Sequence, residues 1–340
     1  MIVTLKTGTK KLAVNEVIRR IQKLGFKPEL SRGAEHIVIG VIGEGNKAVT
    51  HRGVFEAMPQ VESVTPISKP YKIVSRVFKK NNTVIDVNGV CIGGDSVVVM
   101  AGPCSIDTKE NLILTGKELK KAGVQVLRGG AFKPRTSPYS FQGLGEEGLK
   151  YLAEVRKATG LPVITEVMDT RQVELIERYA DILQIGARNS QNYDLLREVG
   201  RTRKAVMLKR GMAMTIEEWL MAAEYILAAG NNNVMLCERG IRTYETATRF
   251  TLDLNAVPVL KHLSHLPVIV DPSHGVGVRD YIVPMAKAAI ACGADGVILE
   301  CHPNPAQALS DGHQALLPAD MGAIVKDLRR VATSVGRTLY

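Results

Sequence analysis

The sequence predicts an α/β chain: a closed (β/α)8 TIM barrel preceded by a small βαββαβ domain of ferredoxin-like topology. Three observations carry that expectation. From Ser96 onward, short apolar runs alternate eight times with amphipathic helical stretches, which is the count and size of a barrel. Apolar residues make up 45% of the 340 but aromatics only 5%, so the interior must be built from Val, Ile, Leu, Ala and Met, as in a parallel sheet covered by helices. No G-x-G-x-x-G follows the first run, which argues against an open doubly wound sheet.

The elements follow in order. Residues 1–67 are expected to form the ferredoxin-like domain. Ile2–Leu5 is a short strand; Val14, Val17, Ile18, Ile21 and Leu24 recur at helical spacing, and Gly25 stops that helix. Strands near Lys27–Leu30 and His36–Val41 flank a turn at Ser31–Gly33, a second helix fits Lys47–Met58, and a last strand fits Val61–Pro66. Residues 68–95 read as a basic linker and a hairpin, Val84–Asp86 with Val90–Ile92 around the Asn88-Gly89 turn. Residues 96–340 hold the barrel, with strands at Val97–Ala101, Val124–Leu127, Val163–Thr165, Ile182–Ile185, Ala205–Leu208, Val234–Leu236, Val268–Val270 and Val297–Leu299. Thr215–Ala229 and Met285–Cys292 are examples of the intervening helices.

Composition excludes several classes. No apolar run approaches the ~20 residues that span a bilayer, and Met1–Lys6 does not open a signal peptide, so a cytoplasmic protein is expected. Five cysteines, odd in number and widely spread, make a disulfide framework improbable. The formal charge of +10 favours anionic partners, nucleic acid or phosphorylated metabolites. An RNA-binding module of this topology would stack bases on strand aromatics, and His36–Val41 has none. Residues 1–67 carry ten Lys/Arg against six Asp/Glu, +4, with no clustered patch, so no nucleic-acid partner is expected.

In such a barrel the active site lies at the carboxyl ends of the strands. Every strand here delivers ionisable groups to that rim. Arg128, Lys133, Arg135, Arg188, Lys209 and Arg239 would converge on one mouth. A single Lys or Arg is ordinarily a solvated surface residue. Six together repel one another unless anions offset them, which points to a site for more than one phosphate or carboxylate. Cys104, His274, Glu300 and Asp311 come from strand ends one, seven and eight and the loop after eight. A thiolate, an imidazole and two carboxylates suit Mn, Fe, Co or Zn. Alone, the cysteine would be a buried small hydrophobe and Asp311-Gly312 an ordinary turn pair; the barrel is what lets the four meet. Cys301 follows Glu300 directly and should face the other way. The long Gly129–Gly145 connection, stiffened by Pro134 and Pro138, reads as a clamp over substrate.

Ala101–Ser105, Leu127–Ser137, Gln184–Asn189, Leu208–Gly211, Cys237–Gly240 and Val270–His274 together resemble 3-deoxy-D-arabino-heptulosonate 7-phosphate synthases, of the type Iβ branch with an amino-terminal ferredoxin-like regulatory domain. The resemblance covers essentially the whole chain. It implies a transferase at the first step of the shikimate pathway, joining phosphoenolpyruvate to erythrose 4-phosphate. It also implies a metal on Cys104, His274, Glu300 and Asp311. Phosphoenolpyruvate would be held by Arg128, Lys133, Arg188, Lys209 and Arg239, with Glu166 near its reacting carbon. Erythrose 4-phosphate would meet Lys133, Pro134, Arg135, Thr136 and Asp311. Lys133 is the expected proton donor, its pKa lowered among cations. A 3-deoxy-octulosonate 8-phosphate synthase is the alternative; those enzymes carry Ala-Asn-Arg where Pro134-Arg135-Thr136 stand here. For the first domain the resemblance implies inhibition by tyrosine or phenylalanine bound between such domains, with contacts sought at Ser31, and by analogy a homotetramer.

Overall fold

The computed structural model describes residues 1–33, 36–43, 47–66, 70–135 and 137–339. They divide into two units, Met1–Asn82 with His262–His265, and Thr83–Lys261 with Leu266–Tyr340.

In the first unit, β1 (Ile2–Leu5), β2 (Lys27–Arg32), β3 (Ile37–Ile42) and β4 (Val61–Thr65) form an antiparallel sheet in the order β2-β3-β1-β4. This is the expected ferredoxin-like order. The helix Lys11–Lys23 buries Val14, Val17 and Ile21 in the same cluster as Val3, Leu5, Ile39 and Val41. Gly25, at φ 81°, follows it. Two expectations change. The helix placed at Lys47–Met58 is two short ones, Lys47–Thr50 and Arg52–Glu56, broken at His51 (φ −95°, ψ 11°). Thr50, His51 and Gly53 are weak helix formers, and so short a stretch lacks the length to hold a helix on propensity. Ser31 does not begin a turn: it is a residue of β2 opposite Val38, because the ladder continues through Arg32 and Ile37.

In the second unit, β5 (Ile85–Val87) and β6 (Val90–Ile92) form the expected hairpin. Asn88 (φ 51°) and Gly89 (φ 86°) are both left-handed, the twist a two-residue hairpin needs. Eight parallel strands then close a barrel: β7 (Val98–Gly102), β8 (Val126–Arg128), β9 (Val163–Val167), β10 (Ile182–Ile185), β11 (Ala205–Lys209), β12 (Val234–Glu238), β13 (Val268–Val270) and β14 (Gly296–Glu300). Several strands outrun their last apolar residue. Lys209 pairs with Cys237, Glu238 with Val270 and Glu300 with Gly102, so charged residues are part of the ladder.

The two-residue period of a strand decides what each side chain sees. Val98, Met100, Val126, Ile164, Ile182, Ala205, Met207, Met235, Cys237, Ile269 and Ile298 share one buried cluster inside the barrel. Ile85, Val87 and Ile92 of the hairpin join that cluster with the strand-start residues. Two residues on from the inner set, at the opposite end, come Arg128, Glu166, Gln184, Lys209, Arg239, Asp271 and Glu300. The interior register that packs the core therefore aims these groups into the mouth. Arg210, Glu238 and Cys301 have the other parity, and Cys301 is fully buried as the alternation requires. Among the described residues no helix is long and apolar enough to cross a membrane.

Candidate active site

Cys104, His274, Glu300 and Asp311 each bring a donor atom within 4.8 Å of the others. The four expected ligands are thus together. The Cys104 thiol donates to Asp311 Oδ2 at 3.0 Å, and His274 Nε2 lies 2.9 Å from Glu300 Oε1. His274 Nδ1 donates to Asp271 Oδ2 at 2.7 Å, which directs Nε2 at the cluster, the tautomer a metal-ligating histidine uses. One soft and three harder donors, with the imidazole braced from behind, fit a divalent transition metal. Asp311 sits in the left-handed region at φ 52°, a conformation asparagine and aspartate tolerate better than other side chains.

Buried ion pairs set the charges. Burial opposes ionisation of Glu300, but the His274 and Arg128 cations hold it well below the ordinary carboxylate range. Arg128 Nη1 donates to Glu300 Oε1 at 2.7 Å, and Lys209 Nζ to Asp271 Oδ2 at 2.5 Å. Burial likewise disfavours a charged His274, yet the Asp271 and Glu300 carboxylates raise its pKa to about 9. For Asp311, burial and Glu300 push upward while the Cys104 hydrogen bond pulls down, leaving it below its usual value. Lys133 departs from expectation. Burial lowers its pKa, but Cys104, Glu166 and Glu300 outweigh that and Arg128 together, and the net shift is upward. The reason is contact: Lys133 Nζ donates to the Cys104 carbonyl oxygen and Sγ, both at 2.9 Å, so its immediate neighbour is the thiol rather than another cation.

Above the cluster is a cavity of about 340 Å³ whose wall includes Lys133, Arg135, Arg188, Lys209, Arg239 and Arg249, against the carboxylates Glu166 and Asp311. It is large enough for small metabolites, and its charge selects anions. Arg239 carries the clearest signal. Its guanidinium stacks 4.2 Å from the Phe250 ring centre, it is 6% exposed, and its Nη1 is buried without a hydrogen-bond partner. A buried unsatisfied donor of this kind costs roughly 1–3 kcal/mol unless something accepts from it. Arg188 reaches the Pro134 carbonyl at 3.2 Å, tying the long Gly129–Gly145 connection to the rim. Arg128 is expected to hold substrate, but it faces Glu300 and is not part of the cavity wall. Thr136 lies outside the described residues.

Two glycines make the arrangement possible. A Cβ on Gly130 would stand 2.2 Å from the Cys104 carbonyl oxygen and 2.9 Å from Lys133 Cδ. A Cβ on Gly186 would stand 2.0 Å from Glu166 Oε1, while Gln184 Nε2 donates to Glu166 Oε2 at 3.2 Å from the same strand.

The structure also adds Arg249, Phe250 and Gln314, which sequence reading left aside, and gives partners to Gln184 and Asp271, which it quoted without a role. Residues 239–255 form a connection as long as Gly129–Gly145, and that length was the available signal for Arg249 and Phe250. Arg210 turns away from the mouth, donating to Glu238 and Asp253 at 2.8 Å each and so fastening the end of that connection to β12.

Comparison with known proteins agrees with this geometry. Residues 72–335 match the model of the DAHP synthetase I family, and residues 1–69 that of the DAHP synthase ferredoxin-like domain. A phospho-2-dehydro-3-deoxyheptonate aldolase of Thermotoga maritima is 48% identical over 336 residues, 99% of each chain. A 2-dehydro-3-deoxyphosphooctonate aldolase of Geobacter sulfurreducens is 32% identical over 73% of this chain and 97% of its own. A crystal structure of the DAHP synthase from Thermotoga maritima superposes with TM-score 0.79 at 47% identity, covering 100% of this chain and 99% of that one. Both halves of the sequence, and the barrel whose rim gathers thiol, imidazole, carboxylates and guanidinium groups, therefore lead to one conclusion: the chain belongs to the DAHP synthetase I family.

Proposed function

We propose that this chain is a metal-dependent 3-deoxy-D-arabino-heptulosonate 7-phosphate synthase. It condenses phosphoenolpyruvate with erythrose 4-phosphate, releasing phosphate, at the first step of the shikimate pathway. The observation that carries this reading is the pairing of a cation-walled cavity, Arg239 Nη1 unsatisfied within it, with the Cys104, His274, Glu300 and Asp311 cluster at its floor. Cys104, His274, Glu300 and Asp311 would hold the metal, which when bound supplies Lewis-acid polarisation of an aldehyde oxygen.

The chain's own residues do the rest. Arg188, Lys209 and Arg239 bind the phosphate and carboxylate of phosphoenolpyruvate, and Arg128 keeps Glu300 ionised beneath them. Pro134, Arg135 and Asp311 line the same cavity and receive the sugar phosphate; Thr136, outside the described residues, is assigned to that group by its place in the sequence alone. The methylene carbon bonds to the aldehyde carbon, and Lys133 protonates the oxygen that becomes a hydroxyl. Its raised pKa keeps the amine protonated at neutral pH but makes it a weak acid, so the transfer relies on the alkoxide being the much stronger base. Water then adds to the former enol carbon, and the carbon–oxygen bond to phosphate breaks. Glu166, on the cavity wall, faces that carbon and orients the water.

Chelation should abolish phosphoenolpyruvate consumption, and Mn, Fe, Co or Zn should restore it with erythrose 4-phosphate. Restoration only with arabinose 5-phosphate would favour the octulosonate reading instead. Lys133→Met should lose turnover by at least ~10²-fold while the melting temperature is kept; near-normal activity removes Lys133 from this role.

For the first unit we propose inhibition by tyrosine or phenylalanine. A cavity of about 600 Å³ there is lined by Ser31, Arg32, His36 and Glu62 among others, charged and polar groups suited to an amino acid's two termini. Removing residues 1–67 should abolish inhibition by both amino acids; unchanged inhibition refutes the assignment. A cytoplasmic homotetramer belongs to the same reading, and sedimentation of the full chain tests its size.

A further inference from the structure

Each carboxylate of the Cys104, His274, Glu300 and Asp311 cluster has one oxygen turned inward and one turned away. Glu300 Oε1 lies against His274 Nε2 at 2.9 Å and also accepts from Arg128 Nη1 at 2.7 Å, which leaves it a further lone pair toward the cluster. Asp311 Oδ2 lies against Cys104 Sγ at 3.0 Å. The outward oxygens are both taken. Gln314 Nε2 donates to Glu300 Oε2 at 2.5 Å, and Arg249 Nη1 forms an ion pair with Asp311 Oδ1 at 3.4 Å. These two holders are themselves joined, since Arg249 Nη1 donates to Gln314 Oε1 at 3.0 Å. The result is a chain of contacts, Glu300–Gln314–Arg249–Asp311, that links the two carboxylates on the side away from the other donors.

The orientation of the Gln314 amide follows from its neighbours. Reversed, it would set its oxygen against a carboxylate and its NH2 against a guanidinium, so only one arrangement satisfies both. Gln314 is fully buried, and every polar atom of its side chain is spent on this chain of contacts. Local structure delivers it there. Asp311 in the left-handed region starts the single 3-10 turn Gly312–Gln314, which brings Gln314 back beside Asp311 and below Glu300.

We infer that Gln314 and Arg249 are positioning residues of the metal centre, which hold Glu300 and Asp311 so that each presents a single oxygen. This rests on the metal reading proposed above. A carboxylate pinned at one oxygen binds through the other alone. Two such carboxylates with one thiolate and one imidazole keep the protein's donor count at four. That number suits Zn, Co, Fe or Mn and falls short of the six to eight oxygens that calcium takes. Releasing the outward oxygens lets either carboxylate swing and chelate with both. Partners of metal ligands in such positions are worth about 10–100-fold in affinity.

The test uses the full chain stripped of metal, with cobalt(II) as the probe. Cobalt should give a thiolate charge-transfer band from Cys104 and strong visible bands of low coordination number, and chelator competition gives its affinity. Gln314→Met keeps the volume and removes both hydrogen bonds. It should weaken cobalt binding by about 10–100-fold, keep the charge-transfer band, and diminish the visible bands as coordination number rises. Arg249→Ala, at an exposed position that threatens folding less, should change the spectrum in the same direction. Melting of the metal-free proteins separates a purely structural effect. Lowered stability with unchanged affinity and visible spectrum in both variants overturns the inference and leaves the metal reading intact. A wild-type protein that binds cobalt with no thiolate band overturns both.

Discussion

Gly186→Ala isolates the placement of Glu166. The backbone at Gly186, φ −68° and ψ 158°, is one that alanine adopts freely, so the substitution brings no conformational strain. Its only consequence is steric. The new Cβ would stand 2.0 Å from Glu166 Oε1, where contacts under 3.0 Å are essentially never found, so the carboxylate must retreat by at least about 1 Å. Gln184 holds its other oxygen at 3.2 Å, so the retreat also breaks that bond. A displacement of about 1 Å at a reacting centre costs on the order of 10²-fold in rate, roughly 2.7 kcal/mol of barrier. Steady-state consumption of phosphoenolpyruvate should show that loss in kcat/KM with an intact far-ultraviolet spectrum. In a Glu166→Ala background the same change should be nearly silent, because the group it displaces is gone. If kcat/KM of Gly186→Ala stays within about threefold of wild type, Glu166 does not act from the position described.

Two further outcomes concern pH. In metal-free protein His274 has a pKa of about 9, so a metal must displace its proton at neutral pH. Metal affinity should therefore rise about tenfold per pH unit from pH 7 to 9 on account of this group, and a pH-independent affinity in chelator competition would refute that. His265 is the opposite case. Burial lowers its pKa to about 4, assisted by Lys79 and Arg76, and its Nε2 bonds the Ile73 carbonyl at 2.8 Å. The unfolded chain, with a histidine near 6.5, binds the proton first, so stability is full above that value and falls as pH drops toward 4. The shift corresponds to at most about 3 kcal/mol. In denaturant titrations the stability difference between wild type and His265→Gln should be constant above pH 6.5 and change by about 3 kcal/mol between pH 6.5 and 4; curves parallel over that whole window would sink the assignment.

Much of this protein is written locally. The eight apolar runs, the hairpin turn at Asn88-Gly89 and the stop at Gly25 depend on neighbours along the chain, and each is in place. Strand parity is also local, and it sends Arg128, Glu166, Lys209, Arg239 and Glu300 into the mouth while Arg210 and Cys301 turn out. The helix expected at Lys47–Met58 broke at His51 on weak propensity alone, and the other misplaced features are those where weak local preference met a long-range partner. Ser31 was drawn into β2 by pairing with Val38, and several strand ends were extended by charged residues in the ladder.

Tertiary structure alone decided which charges remain available. Arg128 counts as an anion-binding cation in the sequence, but it is paired with Glu300 across 172 residues of chain and stands off the cavity wall, whereas Lys209, paired with Asp271 across 62 residues, still lines the cavity. The direction of the Lys133 shift turns on Cys104, and the bracing of Glu300 and Asp311 on Gln314 and Arg249. Electrostatic interaction depends on separation in space and on the dielectric between the groups. A period of two or of 3.6 fixes which way a side chain points, but distances among residues from different strands exist only once the barrel has closed.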